Sequence, residues 1–460
     1  MKVLMLGWEY PPHIAGGLGT ACEGLTTALS KQGVAIQFVV PEVLGGERAE
    51  HMRLTQADSR QGVSNGASGI VDGTPDRVSE RGHLERARVR SFLKPYWNQR
   101  EYQSALESLV TQNMTAVPAN RDLRPLEQAI AEGEVYGVKL DDSFPAHVEG
   151  DGVAPAKDLF SEVERFTLEV VSRFSNRAEF DIIHAHDWMT FPAAVALAKA
   201  TGRPLVAHIH SLEHDRSGLF YDKTINSIER FGLTSAARVI AVSHYTRRAI
   251  ERHHAIPTRV IDVVHNGIYP RQTEPEYRRL KTWPKHVVLF LGRVTFQKGP
   301  DYFVEVAAKV IPKMPGVLFV LAGTGDMLPE IKRRVSELKL EANFLFPGFV
   351  RGEELEELFS VADLYVMPSV SEPFGLAALE AISFETPVLV SKQSGVSEVI
   401  KSVLTVDFWD TDTMADQILS VLSDPEKRER LVSSAKQELT KLHWDAAATK
   451  TVEIYRELLS

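Results

Sequence analysis

The sequence predicts two doubly wound α/β domains joined by a short polar segment, and three observations lead there. First, a chain of 460 residues makes two to four domains at roughly 100–200 residues each. Second, short runs rich in Val, Ile and Leu alternate with amphipathic helical stretches in both halves, the pattern of a parallel sheet covered by helices. Third, Tyr269-Pro270-Arg271-Gln272-Thr273-Glu274-Pro275 is polar and proline-containing and separates the halves.

The strand runs of the first half fall at 2–7, 36–40, 181–186, 204–210, 238–243 and 260–265; those of the second fall at 287–292, 317–322, 343–346, 364–367 and 387–390. They place a first domain over 1–268 and a second over 276–442. From about 45 to 155 the pattern breaks, opening with Gly- and Ser-rich stretches such as Gln61-Gly62-Val63-Ser64-Asn65-Gly66-Ala67-Ser68-Gly69. That segment reads as an insertion in the first domain, part of it a mobile surface loop. The stretch 443–460 is helical in pattern, with Trp444, Ala447, Val452, Tyr455 and Leu458 inward and no assigned packing partner.

Hydrophobic residues make up 44% and charged residues 25%, enough apolar surface for more than one core and too much for a disordered chain. Lys plus Arg number 52 against 61 Asp plus Glu, a net charge of −9 that argues against nucleic acid or an anionic membrane as the main partner. Cys22 is the only cysteine; this rules out an internal disulfide, is expected to rule out a cysteine-based zinc site, and fits a reducing compartment. The opening apolar run through Gly7 is too short for a secretory signal, and nothing approaches the ~18 apolar residues of a membrane span. The expectation is a cytoplasmic protein without a transmembrane segment; its oligomeric state is left open.

Four groups of residues can carry chemistry. Gly16-Gly17-Leu18-Gly19 follows the first strand and leads into a helical pattern, so backbone N–H groups there can meet an anion or a sugar. It lacks the spacing of a dinucleotide fingerprint and the Lys-Ser/Thr of a nucleotide phosphate loop; a tight strand-to-helix turn is the plain alternative. Gly292-Arg293-Val294-Thr295-Phe296-Gln297-Lys298-Gly299 ends the first strand of the second half, where two cations can converge on one anion or simply form a solvated basic turn. Ser371-Glu372-Pro373-Phe374-Gly375-Leu376 through Glu380 follows another strand. Pro373 suits a first helical turn, which would put Glu372 near a helix N-terminus and Glu380 roughly 10–12 Å further along the axis. The free N–H groups between them suit a pyrophosphate; alternatively Glu372 only offsets the helix dipole.

The fourth group is His184-Ala185-His186-Asp187 and His208-Ile209-His210, both at strand ends. Residues i and i+2 of a strand point the same way, so either pair can ligate a metal, and a metal-dependent hydrolase is the rival reading from a different class. A catalytically silent sugar-binding protein is a third. Asp410-Thr411-Asp412 resembles a carboxylate metal motif but precedes a helical pattern and reads as an N-cap.

Taken together, these residues resemble the retaining glycosyltransferases of the GT-B fold, the superfamily that includes bacterial glycogen synthases, plant starch synthases and the broad group 1 glycosyltransferases. Gly292-Arg293 with Lys298-Gly299, Gly323-Thr324-Gly325, Pro347-Gly348-Phe349-Val350, and Glu372-Pro373-Phe374-Gly375-Leu376 with Glu380 occur in that family's order. Trp8-Glu9-Tyr10-Pro11-Pro12 with the glycine cluster resembles the opening of the synthases, and His184-Ala185-His186-Asp187-Trp188 their next signature. Val206-Ala207-His208-Ile209-His210 resembles the strand that ends in their active-site histidine. Three departures stand out: Ile14 where the synthases carry Lys, Glu385 where many relatives carry Gly, and Lys392-Gln393-Ser394-Gly395 in place of a double glycine.

The resemblance implies two Rossmann-like domains facing each other across a cleft. It implies transfer of a hexose, glucose first, from a nucleotide sugar such as ADP-glucose or UDP-glucose, with α-1,4-glucan elongation as the leading acceptor reaction. A lipid, a surface polysaccharide or a small molecule is the alternative acceptor. Arg293 and Lys298 would hold the donor diphosphate, Glu372 the hydroxyls of the transferred sugar and Glu380 the ribose. Gly16 and Gly17 would approach the donor phosphate, Asp187 and His210 would line the sugar pocket, and Gly292, Gly323, Val350, Phe374, Gly375 and Leu376 would complete the donor site. No metal, resident cofactor or nucleic-acid partner is expected.

Overall fold

The structure, a computed structural model, describes residues 1–11, 17–41, 159–176, 179–269 and 283–460, with the backbone of two further strands at 52–55 and 84–88. The first sheet contains β1 (Lys2–Leu6), β2 (Ala35–Val40), β3 (Met52–Thr55), β4 (Leu84–Arg88), β5 (Ile182–His186), β6 (Leu205–Ile209), β7 (Arg238–Ala241) and β8 (Ile261–Val263). The second contains β9 (His286–Leu291), β10 (Val317–Ala322), β11 (Phe344–Gly348), β12 (Leu364–Met367), β13 (Val388–Ser391) and β14 (Leu404–Val406). Their orders are β3-β4-β2-β1-β5-β6-β7-β8 and β11-β10-β9-β12-β13-β14, parallel throughout. Helices cover both faces, so the inner strands β5, β6, β12 and β13 are buried at every position, and β5 and β6 bury His184, His186 and His208 along with their apolar residues.

The helices are α1 (Gly17–Lys31), α2 (Leu159–Phe174), α3 (Phe191–Thr201), α4 (Glu213–Ser217), α5 (Lys223–Ser235), α6 (His244–His254), α7 (Pro300–Val310), α8 (Leu328–Glu337), α9 (Glu353–Val361), α10 (Leu376–Ser383), α11 (Thr411–Ser423), α12 (Pro425–Leu439) and α13 (Trp444–Leu459). Ser243 caps α6 and Asp410 caps α11, each accepting the N–H three residues on. Asp410 therefore serves as the N-cap its sequence suggests.

The last helix finds its partner in the first domain. Trp444, Ala448, Val452, Ile454 and Tyr455 belong to the first domain's apolar core, and α13 packs along α1. Gly24 of α1 makes that contact possible, because a Cβ there would lie 2.1 Å from the Trp444 ring.

Three strands lie outside the runs read from sequence. Within 45–155, β4 pairs with β2 and β3 forms the edge of the first sheet beyond it; their segments Met-Arg-Leu-Thr and Leu-Glu-Arg-Ala-Arg interleave charges with apolar residues and so lack an apolar run. The other residues of that segment lie outside the described residues, as do 270–275 of the boundary segment. The third, β14, is three residues long, too short for a periodic signal.

Strand order reverses at β1, flanked by β2 and β5, and at β9, flanked by β10 and β12. Carboxyl ends of strands at such points open a crevice. There the chain places Asp187 after β5, Gly292 and Arg293 after β9, and the Ser369–Glu372 segment after β12.

Candidate active site

On the second-domain side, a short turn at Phe296–Lys298 brings Lys298 back toward the strand ends. Its Nζ donates to Glu372 Oε2 at 2.5 Å, and Ser369 Oγ donates to the same oxygen at 3.2 Å. Arg293 donates to Gln297 Oε1 at 2.9 Å. Glu372 is only 6% exposed, so removing Lys298 would leave a buried carboxylate without its cation. The Glu372 backbone is fixed as well: its N–H donates to the Gln393 carbonyl at 2.8 Å and its carbonyl accepts from Gly395 N–H at 3.0 Å.

One sequence expectation is corrected here. Pro373 does not open a helix; α10 begins at Leu376 with Gly375 as its N-cap, at φ 107°. The Pro373 carbonyl is instead taken by Ser243 Oγ at 2.6 Å and Thr246 Oγ1 at 3.3 Å. Glu372 therefore sits on a strap before the helix, and helical rise does not measure its distance from Glu380. The start of α10 still presents N–H groups without intrahelical acceptors beside Glu372.

Glu380 keeps some exposure to the cavity, yet burial pushes its carboxyl up to about 7. Gly323 lies against Gly292: at φ 139° its Cβ would come within 1.8 Å of the Gly292 carbonyl oxygen, so only glycine lets these two loops meet. Tyr365 OH supports the same loop by donating to the Leu291 carbonyl at 3.2 Å.

The first-domain side is a stack of imidazoles. His186 Nδ1 and His210 Nε2 lie 2.9 Å apart, His184 Nε2 and His208 Nδ1 3.1 Å, and His184 Nδ1 meets Tyr455 OH at 2.5 Å. Burial lowers all four: His186 falls to about 3, and His184, His208 and His210 fall well below the usual histidine range, with neighbouring imidazoles adding to the effect. The wall is therefore neutral at pH 7.

Asp187 is 3% exposed and holds the loop that carries His210, accepting the N–H groups of His210 at 2.7 Å and Ser211 at 3.4 Å. It sits in left-handed backbone, at φ 60° and ψ 170°, an unfavourable region for a non-glycine residue that marks a constrained position. Burial raises its carboxyl to about 7.

Of these groups, Arg293, Lys298, Glu372, Glu380 and His210 face one cavity of about 1700 Å³ between the domains, with the other three histidines buried behind His210. The first domain lines it with Gly17, Leu18, Thr20, His210, Ser211 and Asn266. From the second come Gly292, Arg293, Lys298, Gly323, Val350, Glu372, Phe374, Gly375, Leu376 and Glu380. Asp187 does not line it and acts from behind His210. Gly16 lies outside the described residues. Ser211, Asn266 and Tyr365 were not singled out from the sequence; the Asn266-Gly267 dipeptide ending the run after β8 was the available signal.

Among the described residues, three groups bring possible ligand atoms within 4.8 Å of one another: Cys22, His186 and His210; His184, His186 and His208; and His244, His265 and Glu398. One of these groups includes Cys22, which α1 lays beside two histidines. Burial holds the Cys22 thiol well above its ordinary range, and a protonated thiol is a poor ligand. In the histidine group both nitrogens of His184 are engaged, with Tyr455 and with His208 Nδ1, and His186 Nδ1 meets His210, whereas His186 Nε2 and His208 Nε2 are buried without a partner.

Two parallel α/β domains with a cavity between their strand ends have the architecture of the GT-B fold. Residues 274–438 match the family described as Glycosyl transferases group 1, residues 134–272 match Glycosyltransferase Family 4, and residues 2–78 match the Starch synthase catalytic domain. An uncharacterised glycosyltransferase of Methanocaldococcus jannaschii is 33% identical over 99% of this chain and 98% of its own length. A glycogen synthase of Mycobacterium tuberculosis is 29% identical over 99% of this chain and 94% of its own. In fold, the sucrose-phosphate synthase of Thermosynechococcus elongatus superimposes with a TM-score of 0.66 at 19% identity, covering 100% of this chain and 99% of that one. The chain belongs to the group 1 glycosyltransferases. It is a transferase, and the hydrolase reading of the paired histidines is set aside. No helix among the described residues is long and apolar enough to cross a membrane.

Proposed function

We propose that this glycosyltransferase moves a glucosyl unit from ADP-glucose or UDP-glucose to an α-1,4-glucan, with retention of configuration, in the cytoplasm. The observation that carries this reading is the division of the cavity: Arg293, the Lys298–Glu372 pair and the start of α10 on one side, neutral His210 on the other. A diphosphate suits the two cations and the free helix N–H groups, the sugar hydroxyls suit Glu372, and the ribose suits Glu380. The glycogen synthase relative covers nearly the whole chain and favours glucose and a glucan.

In this mechanism the bond between the anomeric carbon and the diphosphate oxygen breaks as the acceptor hydroxyl oxygen bonds to that carbon on the same face. The acceptor proton passes to the departing phosphate oxygen, so no protein nucleophile is used. Fixed charge at Arg293 and Lys298 stabilises the leaving group without a divalent metal. The test is a screen of nucleotide sugars with and without glycogen, read by nucleotide release and chain lengthening. Glycogen-dependent release from a glucose donor supports the proposal. Release that needs a lipid or a small sugar instead would replace the acceptor, and the absence of release from every donor would overturn the reading.

A further inference from the structure

We infer that Ser371 is a positioning residue gripped from the first domain, through which Asp215 and Tyr245 set the Glu372 carboxylate against the donor sugar. The inference rests on the proposed role of Glu372. Ser371 is 8% exposed and immediately precedes Glu372. Its Oγ donates to Asp215 Oδ1 at 2.5 Å, and Tyr245 OH lies 3.0 Å from the same Oγ. A serine hydroxyl has one proton; with that proton given to Asp215, the tyrosine is the donor in the second contact. The result is a directed chain, Tyr245 to Ser371 to Asp215, that leaves the first domain and returns to it.

The residue on the other side of Glu372 is held the same way, since the Pro373 carbonyl accepts from Ser243 and Thr246. Glu372 thus turns toward Lys298 and the cavity while both chain neighbours are bound by the opposite domain. The anchor also reaches the histidine side. Asp215 Oδ2 accepts the Leu212 N–H at 2.8 Å, and the next residue, Arg216, donates to the Ser211 carbonyl at 2.9 Å, one residue past His210. One short helix, α4, therefore ties the carboxylate strap to the histidine loop. Displacements near 1 Å at a reacting centre cost rate steeply, and a hydrogen-bonded chain across the domains resists them.

Two variants test the inference in the full-length protein, read by turnover, donor KM, nucleotide affinity and melting temperature. Ser371→Ala removes the relay. Tyr245→Phe removes one hydroxyl and keeps the ring, so it remains decisive if the first variant folds poorly. For Ser371→Ala we expect kcat to fall about tenfold or more, and for Tyr245→Phe a few-fold, with nucleotide affinity and donor KM near wild type. Wild-type kcat in both variants overturns the inference. So does a loss confined to melting temperature or nucleotide affinity, which would make these bonds glue between domains. If the wild-type protein releases no nucleotide from any sugar donor, the transfer reading falls first, and the role of Ser371 falls with it.

Discussion

The two walls of the cleft are built in opposite ways. The second domain presents charge on loops that directly follow strands, Arg293 and Lys298 after β9 and Glu372 after β12, and on the helix α10 through Glu380. The first domain presents one uncharged imidazole, His210, whose loop is held by Asp187 and which is backed by the buried His184, His186 and His208 and, through His184, by Tyr455 from the far end of the chain. The contrast suits a reaction in which negative charge develops on only one partner. In the proposed transfer, cations belong where the diphosphate would depart, whereas further cations around the sugar would compete with them for it.

The largest effects should come from breaking either wall at its reacting face. Glu372→Gln and His210→Ala should each lower turnover by roughly a hundredfold or more with the fold kept, the scale of groups that act on the transition state. Steady-state rates beside a circular dichroism melt check this, and a folded variant with near-normal rates removes that residue from the site.

Next come effects on the neutral wall alone. Tyr455→Phe strands His184 Nδ1 in a buried setting, and loss of one such partner costs about 1–3 kcal/mol; chemical denaturation should show it. The stacked histidines also set an acid limit. Their folded values lie below the unfolded 6.5, with His186 at about 3, so the unfolded chain binds more protons between those values. Their contribution to stability is therefore complete above about pH 6.5 and is lost as pH falls toward 3. Denaturation midpoints that stay flat from pH 7 to pH 4.5 would contradict this.

A smaller effect separates the charged wall. With Glu380 at about 7 in the free protein, ribose hydroxyls that donate to its ionised form bind fully above pH 7. Affinity then weakens below it, by about tenfold per pH unit at most. Calorimetry of nucleotide binding from pH 6 to pH 8 should show that slope in wild type and lose it in Glu380→Gln. The smallest effect concerns Glu385, which adopts φ 64°, a region glycine enters readily, and pairs with Lys436 at 2.5 Å. Glu385→Gly should change stability by less than about 1 kcal/mol, relief of strain offsetting an exposed ion pair and added chain entropy.

The same contrast explains how far the sequence could be read. In the second domain each site residue sits within a short motif after a strand, so local spacing located Arg293, Lys298, Glu372 and Glu380 before any packing was known. Only the helix start was displaced, from Pro373 to Leu376, because the Pro373 carbonyl is used by the other domain. In the first domain the histidines were visible but their employment was not. Whether they meet a metal, a substrate or one another depends on Tyr455, which lies 271 residues from His184. Asp187 carried the right motif yet serves by holding backbone N–H groups, a role no spacing reveals. Asp215 and Tyr245 became visible only once the domains faced each other.

The most direct test of this division of charge is activity after exhaustive chelation, measured in the wild type and in Arg293→Ala and Lys298→Ala. Fixed cations on the second-domain wall predict full activity in the chelated wild type and a loss of roughly a hundredfold or more in each variant. Activity that disappears on chelation and returns with zinc or manganese would contradict the account and move the chemistry to the histidine wall.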